Sequence, residues 1–474
     1  MASRQGRPNL TLAICCISLF IVGIDVTIVN VALPSIQHDL HATISSLQWT
    51  VDAYTLVLAC LLMLSGSVAD RFGRRRVFQI GLAIFSLGSL LCSVAPSVGW
   101  LIAFRALQAI GGSMLNPVAL SIIANTFTDP KERAKAMGIW GGVVGLSLAL
   151  GPVLGGVLVT AVGWQSVFWI NIPIGITAIV LTQRFVPESK APHPRRLDPP
   201  AQILIVLSLA TLIYAIIDGP HRGWSSATTL TLFAIAALAA LAFVLVERKR
   251  LEPLLDIRFF HSAPFSGATA IALFAFAALG GFLFLNTLYL QDARGYSPLH
   301  AGLITAPMAL MTLIFAPLSG RMVASRGPRL PLTLAGLIMA AGALLLARLG
   351  LKASDAALLL SYSVFGIGFG LVNAPISNTA VSGMPRERAG VAGAVASTGR
   401  QIGASLGVAI TGSLVAGAST NFISASHTAW DVIAGCGVAV FLLGVISTGK
   451  WALGTAERTA NKLEMRSGEV THVR

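Results

Sequence analysis

"LSGSVADRFGRR" (Leu64–Arg75) ends one long apolar run and begins another. It returns, loosely, as "LSGRMVASRGPR" (Leu318–Arg329), 254 residues later. A second pair keeps almost the same spacing: "PKERA" (Pro130–Ala134) recurs as "PRERA" (Pro385–Ala389), an offset of 255. Chance can give either match alone, but two at nearly one offset imply a duplicated unit. Each matched stretch is a basic loop between apolar segments. The spacing leaves room for about six helices in each copy, with two more between the copies; parallel six-helix repeats are a known membrane-protein plan.

The apolar segments are membrane spans by length and composition. The chain has 474 residues, 55% hydrophobic and 11% charged, with mean hydropathy +0.79. A soluble chain carries about 25% charged residues. Fourteen segments of about 17–25 residues are long enough to cross a bilayer. They centre near Ser18, Leu58, Phe85, Ile110, Leu146, Ile174, Leu209, Ala237, Leu279, Leu310, Ala340, Gly366, Leu406 and Val440. With the N-terminus inside, 27 of the 33 Lys and Arg residues fall in inside segments. Four lie outside (Arg222, Arg294, Arg348, Lys352), and Arg105 and Arg400 lie within spans. This asymmetry puts both termini in the cytoplasm of a multi-pass protein of the cell (inner or plasma) membrane. It also accounts for the net charge of +14 without nucleic acid.

The N-terminal "MASRQGRPNL" is basic, and the apolar run after it is too long for a cleavable signal. Cys15, Cys16, Cys60, Cys92 and Cys436 have neither metal nor disulfide spacing and read as small packing residues. The expected fold class is all-α integral membrane, with an N-terminal six-helix bundle over residues 1–190. Two additional membrane helices and linkers follow over 191–262, then a C-terminal six-helix bundle over 263–455. The tail, 456–474, is expected to be cytoplasmic, polar, and disordered or lying on the membrane.

Five stretches resemble motifs of the major facilitator superfamily, in its fourteen-helix drug:proton antiporter branch. They are "DVTIVNVALP" (Asp25–Pro34), "GSVADRFGRRR" (Gly66–Arg76), "LIAFRALQAIGG" (Leu101–Gly112), "GPVLGG" (Gly151–Gly156) and "GWQSVFWINIPIG" (Gly163–Gly175). Ala109 stands where that family usually has glycine. The resemblance covers nearly the whole chain. It implies the major facilitator fold, two six-helix bundles plus two extra helices, and export driven by the proton gradient. It also implies a cytoplasmic charge latch at Gly66, Asp70, Arg71, Gly73, Arg74 and Arg75, broken in each cycle; a purely topogenic basic loop is the alternative. In the second copy Ala324 replaces Asp70, so a second latch is expected to be weak or absent. Gly151, Pro152, Gly155 and Gly156 form the antiporter motif. Gly141, Gly145, Gly151 and Gly155 fall on nearly one face of helix 5 and make it smooth, and Pro152 kinks it. Gly399, Gly403 and Gly407 give the aligned helix a similar face. "GASLG" within it lacks the strand–turn–helix setting of a nucleophile elbow, so no enzyme is expected.

Ionisable groups inside spans are functional candidates. Asp25 is the only acid in the first 38 residues, with no basic neighbour in sequence. An unpartnered carboxylate there can be neutral in one state and charged in another, as a proton carrier must be. The alternative is a carboxylate fixed by hydrogen bonds from Thr27, Asn30 or a neighbouring helix. Asp52, about one turn inside the outer end, reads equally as a proton or cation site at the outer mouth or a partly wet, solvated helix-end acid. Arg105 faces the interior; the resemblance makes it part of a proton relay, and a structural partner for backbone carbonyls or for Asp25 is the alternative. Asp25, Asn30, Asn116, Asn286, Tyr289, Asn373, Asn378 and Arg400 are candidate pocket residues. Phe276, Phe282 and Phe284 read as lipid-facing or packing residues more than as aromatic contacts in a pocket.

No histidine has ligand spacing and no GxxxxGK[ST] motif occurs, so neither metal nor cofactor is expected and protons replace ATP as the energy source. The reading is a proton-coupled exporter of amphipathic, cationic or neutral small molecules such as drugs or antibiotics, working as a monomer with protons, substrate and lipid as its partners. An exporter of one endogenous metabolite or self-made antibiotic is the alternative, kept alive by Ala, Gly and Arg contents that suggest a GC-rich bacterial genome. A membrane sensor on a transporter scaffold is remote, because the longest polar loop, Pro187–Pro200, is short.

Overall fold

Polar side chains punctuate the apolar runs and start the helices. Thr43 accepts from the Ser46 amide, Asp129 from those of Lys131 and Glu132, Ser226 from Thr229, and Ser354 from Ala357. The computed structural model describes residues 8–191, 198–250, 253–384, 389–417 and 422–471. "PRERA" and the Pro187–Pro200 loop therefore lie partly outside the described residues, as do positions 472–474.

Sixteen α-helices are described, with no strand among the described residues. The first half holds α1 (Pro8–Leu40), α2 (Ile44–Phe72), α3 (Arg74–Ser93), α4 (Val98–Thr126), α5 (Pro130–Ala161), the short α6 (Ser166–Trp169) and α7 (Asn171–Phe185). Then come α8 (Pro199–Arg222) and α9 (Ala227–Lys249). The second half holds α10 (Ala263–Thr287, extended by a π-helical turn to Ala293), α11 (Pro298–Arg326), α12 (Arg329–Leu346), α13 (Asp355–Val381), α14 (Ala389–Ala416) and α15 (Phe422–Ser447). Taking α6 and α7 as one segment, thirteen helices among the described residues are long and apolar enough to cross a membrane. α14 stands at the position of the remaining expected span but is not one of these; Arg400, Gln401 and its many Gly, Ser and Thr residues dilute its apolar content.

The duplication is visible in the packing. In the first half α1 lies on α5, α2 on α4, and α3 on both α4 and α7; in the second half α10 lies on α14, α11 on α13, and α12 on both α13 and α15. The halves meet along two seams, α5 with α11 and α2 with α14. α8 packs on α9 and covers the outside of the α2–α14 seam. One of the two alternatives for the tail fails. The tail is not disordered over its described part, because α16 (Lys450–Thr471) is helical. Its start is tied to the bundle, with Thr455 Oγ1 accepting from the Ala263 amide at 2.8 Å.

The glycines locate both the tight seams and the open space. A Cβ on Gly151 would collide with Thr27 of α1, and one on Gly155 would stand 3.0 Å from Ile28. Gly156 faces the other way, with Pro298 O of α11 only 2.7 Å from its notional Cβ. α5 is thus pinched between α1 and α11. In α14, Gly403 and Gly407 lie against the Leu273 and Ala277 carbonyls of α10. Gly141, expected on the contact face, opposes nothing within 4 Å, and the same holds for Gly138, Gly142, Gly390 and Gly393. These residues all lie at the end of the bundle that carries the Asp70 loop. The seams are therefore closed at one end and parted at the other. Gly407→Val should cost about 1–3 kcal/mol by overpacking and lower the melting temperature of the purified protein in detergent. Gly138→Ala should leave it unchanged or slightly raised.

Candidate functional site

Asp25 is completely buried and fully partnered. Its Oδ2 accepts from Arg105 Nη1 at 2.6 Å; its Oδ1 accepts from Gln108 Nε2 at 2.8 Å and Asn171 Nδ2 at 3.0 Å. Arg105 also donates to Gln108 Oε1 at 2.7 Å and to the Thr50 carbonyl at 3.2 Å, with its guanidinium 4.2 Å from the Tyr54 ring centre. Gln108 and Asn171 both reach Ser89 Oγ, which donates to Phe168 O. This dry network joins α1, α2, α3, α4, α6 and α7. It corrects the expectation of an unpartnered carboxylate. It also answers the alternative raised for Arg105: the two groups neutralise each other. The hydrogen bonds expected from Thr27 and Asn30 go elsewhere, to the Gly23, Ile24 and Val26 carbonyls of their own helix.

Asp52 is also completely buried, so the partly wet reading fails. It lies on α2 one turn beyond Gln48, whose Nε2 crosses the seam to the Val408 and Ala409 carbonyls of α14 at 3.3 and 2.9 Å. Thr55 Oγ1 makes a long contact of 3.4 Å with Asp52 Oδ1, and the buried Ser405 hydroxyl of α14 approaches the same carboxylate across the seam. No basic side chain lies within ion-pair distance of it among the described residues.

Between the halves runs a cavity of about 1550 Å³. Asp70, Arg133 and Arg258 line it at the parted end, where Asp256 pairs with Arg258 at 2.7 Å and holds that guanidinium above its ordinary range by hydrogen bonding. Deeper, Asn30, Asn116, Asn373 and Arg400 are on its wall. Four pocket candidates are not. Asp25 lies behind the wall in its network. Asn286 is buried against Thr305 Oγ1 (3.0 Å) and the Tyr362 hydroxyl, and the Tyr289 hydroxyl donates to Gly350 O at 2.8 Å. Asn378 is exposed and off the lining. Of the three phenylalanines, Phe276 lines the cavity, whereas Phe282 and Phe284 are core.

The sequence model of the Major Facilitator Superfamily matches residues 15–408. The chain belongs to the major facilitator superfamily. It is 37% identical over 407 residues to the multidrug resistance protein Stp of Mycobacterium tuberculosis (strain ATCC 25618 / H37Rv), covering 86% of this chain and 76% of that one. It is 37% identical over 413 residues to the tetracenomycin C resistance and export protein of Streptomyces glaucescens, covering 87% and 77%. Among solved structures, an inward-facing, unoccupied bacterial homolog of the human lysosomal transporter Spinster superposes with a TM-score of 0.64. It is 20% identical and covers 98% of this chain and 99% of that one. A transporter family, rather than an enzyme family, is the setting for the geometry above.

In this superfamily member the α2–α3 loop is fastened to its own half. Asp70 pairs with Arg74 at 2.8 Å, and Gly73 turns the chain at φ +113°. Glu188, from the strand-like segment after α7, places its carboxylate on the Arg75 and Arg76 amides at 3.0 and 3.3 Å, where the exposed N–H groups of α3 attract an anion. A Cβ on Gly73 would stand 2.8 Å from that carboxylate. Gly66 is loosely packed, because a Cβ there would meet Pro117 at an ordinary 3.9 Å. Arg71 is exposed and Arg75 Nη1 reaches Val186 O at 3.4 Å.

Sequence reasoning missed Gln108, Asn171, Glu188, Gln48 and Tyr362. Gln108 and Asn171 sat inside quoted motifs, and polarity within a span was the signal. Removing one partner of a buried ion pair costs about 3–5 kcal/mol. Asp25→Asn and Arg105→Gln should each lower thermal stability by that order, and the double variant should regain part of it. Unaltered melting of either single variant would show that the pair is dispensable.

Proposed function

We propose that the protein is a proton-driven exporter of amphipathic small molecules in a bacterial cell membrane. One observation carries this reading: a large cavity parted at the basic-loop end, with a buried, unpaired Asp52 in the seam closed at the other. The printed names of the relatives, multidrug resistance for one and resistance and export for another, favour export. The proposed layout has α14 as a fourteenth span, six-helix bundles over 1–190 and 263–455 with α8 and α9 between, both termini cytoplasmic, and a monomer as the working unit. The parted end then faces the cytoplasm and admits substrate from it.

The coupling acid in this scheme is Asp52. When the far end opens, the α2–α14 seam parts and outside water reaches the carboxylate. Protonation makes it neutral, and a neutral acid can return to the dry seam at little cost. Thr55 touches Asp52 and also lines the cavity, so it offers the exit path to the inside. Asp25 and Arg105, each satisfying the other, hold α1 and α4 in register and act as relay only if the network opens. The Asp70–Arg74 loop serves as the latch that must rearrange when the parted end closes. An exporter of one compound is the second reading, favoured by the relative named for tetracenomycin C.

Two experiments test this. In proteoliposomes with an imposed pH gradient, Asp52→Asn should cut uphill transport by about tenfold or more, as loss of an intramembrane proton carrier requires, while downhill exchange persists. Full uphill transport by that variant would dismiss Asp52. For topology, Lys190→Cys and Lys352→Cys, both at exposed sites, are treated in intact cells with an impermeant thiol reagent. Only the second should react, and the reverse pattern would invert the layout.

A further inference from the structure

Arg105 and Arg400 lie well within the apolar lengths of α4 and α14, and their surroundings differ. Arg105 is fully matched by a carboxylate, an amide and a carbonyl. Arg400 of α14 donates one hydrogen bond, from Nη2 to Ser377 Oγ at 2.7 Å, and its enclosed Nε has no partner. No acidic side chain stands within ion-pair distance of it among the described residues. A guanidinium carries five N–H donors and stays charged, and a charge withdrawn from bulk water is ordinarily paired. Arg400 is left short of partners while lining the cavity.

The rest of the wall does not supply the missing charge. The other charged lining residues, Asp70, Arg133, Asp256 and Arg258, stand at the parted end, and both acids there are already paired with arginines. Asp25, the acid expected from sequence to attract a cation, is off the wall and neutralised. The deep cavity thus presents one uncompensated positive charge. Beside it the Phe276 ring lies 5.8 Å from the guanidinium, and Asn373 and Gln401 are polar residues of the same cavity lining. Val22, Val26 and Leu120 of the first half contribute apolar lining.

We infer that the cavity takes amphipathic organic monoanions, an ionised acidic group on an aromatic body, with Arg400 as the anion anchor and Phe276 beside it. This rests on the export reading for direction but not for binding. It replaces the cationic or neutral class expected from sequence. A planar guanidinium fork suits a carboxylate because two parallel N–H···O bonds can form at once; the aromatic body then lies against Phe276 and the apolar wall.

The test uses three probes with one dansyl body: dansylglycine (anion), dansylamide (neutral) and dansylcadaverine (cation). Equilibrium binding to the purified full-length protein is read by fluorescence. Wild type should bind dansylglycine about tenfold or more tighter than the other two, the scale of a charge-assisted bidentate contact. Arg400→Gln should bring dansylglycine down to the level of dansylamide and leave dansylamide unchanged, and Arg400→Lys should keep part of the preference. Equal affinities for the three probes in wild type would overturn the inference without reference to any variant. So would an Arg400→Gln loss shared equally by dansylglycine and dansylamide, which is what a packing role predicts. Transport in proteoliposomes separates this inference from the export reading. Gradient-driven movement of dansylcadaverine but not dansylglycine would keep export and overturn the anion class. Anion-selective binding without gradient-driven movement of any probe would support the anion class and remove the export reading.

Discussion

The buried ion pair between Asp25 and Arg105 is the constraint on which the first half depends. Neither charge can be left alone in a dry interior, so each fixes the other, and Gln108, Asn171, Ser89 and the Thr50 carbonyl fill the remaining hydrogen-bonding positions. Few arrangements of six helix segments satisfy all these groups together. The second half solves the corresponding problem with neutral groups: Asn286, Tyr362 and Thr305 link α10, α13 and α11. Neutral partners avoid the desolvation cost of charges. The two halves therefore share a packing plan but not an electrostatic one.

Two rigid halves can move against each other only where their contacts are smooth. The glycines of α5 and α14 supply such contacts and set where backbones touch. At the closed end, Gly156 and Gly302 bring α5 and α11 together, and Gln48 crosses from α2 to α14. At the other end Gly138, Gly390 and Gly393 oppose nothing. Tilting the halves would exchange these conditions without rebuilding either core, because each core lies largely within one half.

Charge is used sparingly inside the bundle, and its placement separates three roles. A satisfied pair gives structure. An acid without a cationic partner, Asp52, sits in the α2–α14 seam. A cation without an anionic partner, Arg400, sits on a cavity wall. Isolated burial would be costly for either charged form; in the proposed cycle a proton meets the first and a substrate anion the second.

The sequence by itself determined the helical class, the duplication and the order of the elements. Those features are written in local quantities: the length of apolar runs, the alternation of basic loops and the 254-residue echo of "LSGSVADRFGRR". It also marked Asp25, Arg105, Asp52 and Arg400 as unusual, since a charge within an apolar run needs no structure to be noticed. Partnership was decided by the tertiary structure alone. Asp25 and Arg105 are eighty positions apart, and Glu188 meets the Arg75 amide from more than a hundred away. Nothing local encodes such distances. The same holds for facing: Asn30 and Asn286 look alike in sequence, yet one lines the large cavity and the other turns to Tyr362. Helix rotation and crossing are set by the sum of many side-chain contacts, so which polar residue meets water, substrate or another residue is fixed only when the whole bundle closes.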